Sequence, residues 1–111
     1  MFGIMGTQWK FTKGIRELVI IAEKHGVFKP EGREQMIKNA LELSRDLKMA
    51  STRLGAHEQA MITIMTFVGS MGPIAFNDAV SWCNEYAGQH GVTSAVEGCK
   101  ETAADFVKRM G

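Results

Sequence analysis

Residues 59–77, QAMITIMTFVGSMGPIAFN, run for nineteen positions without a charged side chain, and the reading of that stretch decides the fold. A helix that crosses a membrane needs about 20 apolar residues to span a hydrocarbon core of about 30 Å. Here Gly72-Pro73 interrupts the helical pattern, so a helix over residues 57–71 is only about 22 Å long. No Lys or Arg lies between Arg53 and Lys100 to anchor a span at an interface. The stretch therefore reads as a helix buried on all sides at the centre of a bundle, and no membrane association is expected.

The flanking sequence supplies helices to surround it. Residues 9–25 place Phe11, Ile15, Leu18, Ile21 and Ala22 on one stripe, and residues 30–54 do the same with Met36, Ala40, Leu43, Leu47 and Leu54. Pro30 suits a first helical turn and Gly55 a stop. A fourth helix is expected over residues 74–88. A fifth starts at Ser94, where SAVE has the form of a capping box, and continues to Met110. Strand alternation is nearly absent, so the expected fold is all-α: about five helices, two antiparallel hairpins packed around the central apolar helix. The 111 residues suit a single helical domain, 1–111.

AEKHGVF at 22–28 has a near echo in AGQHGVT at 87–93. Both triplets fall where one helical stripe ends, so Gly26 and Gly91 are placed to take the left-handed conformation that closes a helix. Val27 and Val92 then supply the apolar contact of such a stop, and His25 and His90 face the last unpaired carbonyls. No Cys, His or carboxylate accompanies either histidine at ligand spacing, so the echo reads as punctuation rather than a metal or catalytic pair. Pairing positions equidistant from each turn sets Ile21 against Ile37 and Leu18 against Ala40 in the first hairpin. In the second it sets Phe76 against Phe106, Ala79 against Ala103 and Cys83 against Cys99. Close approach of the two thiols is expected, with the choice between a disulfide and two small buried side chains left open.

Several chemistries are excluded by inspection. HEQAM at residue 57 has Met61 where a zinc-binding helix needs its second histidine, and the glycines fit neither a phosphate loop nor a dinucleotide fingerprint. Glu34, Glu42 and Asp46 interleave with Lys38 and Arg45 as a solvated ion-pair face rather than an acid–base site. Thus no catalytic residue, metal or cofactor is assigned, and an enzyme stands as the third reading. A leader segment is not visible in MFGIMGTQWK, and the expected location is cytoplasmic.

Two readings come ahead of an enzyme. The net charge of +1 hides an asymmetry: residues 1–53 hold ten Lys/Arg against six Asp/Glu, whereas residues 54–111 hold three against six. Lys10, Lys13 and Arg16 on the first helix, with Arg45, Lys48 and Arg53 near the end of the second, form a candidate nucleic-acid face. The fourth helix carries two apolar stripes, Phe76-Val80-Cys83-Ala87 and Ala75-Ala79-Trp82-Tyr86, where a surface helix needs one. Either the second stripe is covered by the central helix, or Ala75, Ala79, Trp82 and Tyr86 form a partner-binding face with the two aromatics as anchors. The leading expectation is a protein-interaction module, an adaptor, inhibitor or regulator that self-associates as a homodimer. A nucleic-acid-binding regulator is the alternative.

Overall fold

The computed structural model describes the backbone of residues 2–111 and the side chains of residues 8–111. It contains five α-helices: α1 (Phe2–Lys24), α2 (Arg33–Asp46), α3 (Ala56–Gly69), α4 (Pro73–His90) and α5 (Val96–Met110). Short 3-10 turns occupy Pro30–Gly32, Met49–Ser51 and Thr93–Ala95, and among the described residues there is no strand. No described helix is long and apolar enough to cross a membrane.

The uncharged stretch forms the hub. Met61, Ile62, Ile64, Met65 and Val68 are all buried, so α3 has no solvent side over its middle turns. It packs against α1, α4 and α5, with α2 closing the remaining side. Two hydroxyls are carried into this interior without loss, because Thr63 and Thr66 donate to the carbonyls of Gln59 and Ile62 at 2.8 and 2.7 Å. The Gln59 amide donates to Leu54 at 2.8 Å. Contacts with α3 set the directions: Cys83 lies on Met61 and Cys99 on Glu58, while Gly69 meets both Phe76 and Val107. So α4 runs antiparallel to α3, and α5 runs parallel to it.

Both His-Gly-Val triplets close helices. Gly26 has φ 78° and Gly91 φ 69°, and the amides of Val27 and Val92 reach back five residues to Ala22 and Ala87 at 3.2 and 2.9 Å. That is the doubled hydrogen-bond stop that a left-handed glycine permits. Val92 packs on the core, but Val27 is exposed, and Phe28 supplies the apolar contact instead, edge-on to Trp82 with centroids 6.1 Å apart.

Three expected boundaries are corrected. The second helix ends at Asp46, not near Leu54, because Lys48 takes a left-handed φ of 56° and swings Met49 into the core at 2% exposure. Gly55 is not a stop; in an extended conformation it precedes α3, and its carbonyl accepts the first helical bond, from Gln59. Ser94 forms no capping box. The chain turns through Thr93–Ala95 first, and α5 starts at Val96 with no side-chain cap.

Candidate functional site

The aromatic stripe of α4 is core. Trp82 is 3% exposed, while Tyr86 and Ala79 are fully buried; Ala75 is half-buried against the same cluster. The physical reason is that α4 is covered twice. Its first stripe faces α3 and α5, and its second faces α1 and the segment that leaves it, through Phe28 on Trp82 and Gly14 beside Tyr86. The expectation of an exposed anchor pair therefore gives way to its alternative, with α1 joining α3 as the cover.

The cysteines are free and buried. Each thiol points to an α3 carbonyl, Cys83 to Met61 and Cys99 to Glu58, both at 3.8 Å. Burial, with the Glu58 carboxylate adding to it, pushes Cys99 up to about 11. Burial and the neighbouring Cys99 drive Cys83 higher still. Neither is a nucleophile at neutral pH.

A polar cluster that spacing alone did not reveal joins α1, α3 and α4. The Nδ1 of His57, in the first turn of α3, lies 2.6 Å from the Tyr86 hydroxyl. His90, the last residue of α4, places Nε2 2.9 Å from the Glu17 carboxylate. The His90 ring has its centroid 4.5 Å from those of both His57 and Tyr86. Burial, and then the Glu17 carboxylate, raise the Tyr86 phenol well above its usual range. The phenol therefore keeps its proton, and since His57 Nδ1 is its hydrogen-bond partner among the described residues, the arrangement that leaves no buried O–H unsatisfied has Tyr86 donating to Nδ1 and the imidazole's own N–H on Nε2. Burial lowers the proton affinity of His57, His90 and Lys10 lower it further, and Glu17 opposes them.

Gly14 makes the cluster possible. A β-carbon there would stand 2.6 Å from the Tyr86 hydroxyl and 3.0 Å from the Ala60 β-carbon. A glycine inside a helix costs about 1 kcal/mol relative to alanine, and here it opens the space that the phenol fills. Among the described residues, no group of three or more His, Cys, Asp or Glu is placed to hold a metal ion. What the cluster can do is exchange protons and tie three helices together.

The candidate nucleic-acid residues are all exposed, but they are not equivalent. Arg16 is held bidentate by Glu34 at 2.8 and 3.1 Å. Lys10, Lys13, Arg45, Lys48 and Arg53 form no ion pair among the described residues. Lys13 sits 5.1 Å over the ring of Trp9, which is itself 63% exposed.

An apolar groove opens at the opposite end of α3. It has a volume of about 470 Å³ and is walled by Gly69, Pro73, Phe76, Ala104 and Val107, with Asn77 and Lys108 at its edge. Outside this lining, exposed apolar side chains follow in the chain: Met71 at 60% precedes Gly72, Ile74 at 80% follows Pro73, and Met110 at 50% comes two residues after Lys108. Gly69 forms the floor because any larger residue would collide with the Phe76 ring.

Sequence reading missed the groove because its walls, Gly69, Pro73 and Phe76 on one side and Ala104 and Val107 on the other, are distant in sequence and meet only through packing. The mid-helix Gly14 was the one available signal for the polar cluster, since such a glycine marks a close approach. Comparison with protein-family models, curated proteins and solved structures finds no match to this chain.

Proposed function

We propose that the chain is a protein-interaction module that self-associates through the groove face at the α3–α4 turn and α5. The observation that carries this reading is an apolar groove walled by Pro73, Phe76, Ala104 and Val107, with Ile74, the residue after Pro73, 80% exposed. Full burial of an isoleucine is worth about 1.5 to 3 kcal/mol, and exposed apolar surface grouped with an apolar hollow favours an interaction surface. Ile74 directly follows Pro73 of the groove wall, and the proposed two-fold arrangement seats Ile74 of each copy in the groove of the other. Charge favours the same occupant. Asp78 lies one turn beyond Ile74 on α4 and Lys108 edges the groove, both exposed and in no ion pair among the described residues.

A charge swap tests the occupant directly. Asp78→Lys and Lys108→Asp should each weaken self-association about tenfold, and mixing the two single variants should restore heterodimers. Dimers that are indifferent to both changes would place the interface elsewhere. A monomer at all concentrations would contradict self-association.

Trp9 supports a second reading, a single-stranded nucleic-acid face in which the exposed indole stacks a base while nearby cations meet phosphates. The variant carrying Lys10→Glu, Lys13→Glu and Lys48→Glu should abolish salt-sensitive binding to a labelled oligonucleotide while leaving self-association intact. No binding by the unmodified chain at low ionic strength would remove this reading.

A further inference from the structure

We propose that Glu17, His90, His57 and Tyr86 form an acid-sensitive latch that fastens α1 to the α3–α4 pair and releases it when both imidazoles are protonated. The inference does not depend on self-association. Its basis is the charge count of the cluster. The titratable and charged groups facing His57 and Tyr86 are Lys10 and Glu17 from α1 and His90 and Cys83 from α4. Glu58, the next residue of α3, bears instead on Cys99. One carboxylate thus serves two imidazoles, with a lysine already nearby.

Protonation of the two rings has unequal consequences. A proton on His90 is matched by Glu17, with Nε2 2.9 Å from its oxygen. A second proton, on His57, has no carboxylate of its own among the described residues, since Glu17 already faces His90. It sets two cationic rings with centroids 4.5 Å apart and fills the Nδ1 lone pair that accepts the Tyr86 proton at 2.6 Å. Tyr86 is fully buried and has no other hydrogen-bond partner among the described residues, so the phenol is then left with an unsatisfied donor. Opening α1 relieves both faults, because Gly14 and Glu17 are the α1 residues against which the phenol and His90 rest.

The sign follows from linkage. His57 binds a proton less readily in the closed state than in the open or unfolded one, so falling pH favours opening. The stabilisation is complete above the ordinary imidazole value of 6.5 and is lost progressively as pH falls below it.

The experiment compares the intact chain with His57→Asn, whose side-chain oxygen can accept the Tyr86 proton but cannot itself be protonated. Folding equilibrium constants from urea unfolding are measured at about pH 7.5 and about pH 5.5. The expected result is a fall of up to about tenfold for the unmodified chain, the most that one imidazole of ordinary value 6.5 contributes over this range, and a clearly smaller fall for His57→Asn. Parallel declines would overturn the latch. Should His57→Asn fail to fold, NMR titration of the unmodified chain decides. A His57 ring that titrates below 6.5, with Tyr86 and α1 amide signals moving in the same transition, supports the latch. A His57 titration at or above that value, with α1 signals unmoved, contradicts it.

Discussion

Truncating either buried aromatic of α4, as Trp82→Ala or Tyr86→Ala, is expected to destabilise the chain by about 3 to 5 kcal/mol. Both side chains are almost wholly removed from solvent, so each truncation loses the transfer energy of a large ring and leaves a cavity among side chains that relax only in part. Tyr86→Ala also removes the partner of His57 Nδ1. Set against a typical total stability of about 5 to 15 kcal/mol, either change brings the chain close to unfolding. Thermal melts check the prediction. A melting temperature close to that of the unmodified chain, together with weakened association, would return this face to the role of an exposed anchor.

A comparable loss, about 2 to 3 kcal/mol, is expected for Gly69→Val at the end of α3. Replacing glycine by a better helix former contributes at most about 1 kcal/mol. Against it stands overpacking, which typically costs about 1 to 3 kcal/mol and more where nothing can yield. The new β-carbon would overlap the Phe76 ring and lie 3.0 Å from Cγ2 of Val107, and valine adds two methyl groups beyond it. The displaced ring is a wall of the apolar groove, so the variant should lose self-association along with stability. Urea unfolding together with sizing checks this; unchanged stability would mean that Phe76 has room to turn aside.

Much of the fold was legible because it rests on chain-local signals. The part of the uncharged run that forms α3, residues 59–69, is hydrophobic all round, and a helix of that kind has to be central. Gly26 and Gly91 stop helices because the left-handed conformation is cheap only for residues without a β-carbon, and the spacing of apolar residues identified the layers on either side. The errors fell where tertiary packing overrides local preference. Ser94 and Glu97 have the composition of a cap, but a 3-10 turn precedes α5 instead. Lys48 adopts a left-handed conformation with no glycine to announce it, because burying Met49 offsets the strain.

The candidate sites were less legible for a related reason. Glu17, His57 and His90 are distant in sequence and meet only because α1 and α4 converge on the start of α3. Each taken alone resembles an ordinary surface residue. Likewise the second stripe of α4 matched an exposed interface and a core equally well, and only the position of α1 separates the two. The groove depends on where Ala104 and Val107 of α5 lie against the α3–α4 turn, which no local pattern encodes.

Sedimentation equilibrium of the unmodified chain and of Ile74→Asp, from low to high micromolar concentration, decides whether the groove face mediates self-association. The unmodified chain is expected to show a reversible monomer–dimer equilibrium, and Ile74→Asp to fold with dimerisation weakened at least about tenfold, a change of about 1.4 kcal/mol or more. A monomer throughout, or a dimer that Ile74→Asp leaves unchanged, would contradict self-association through this face.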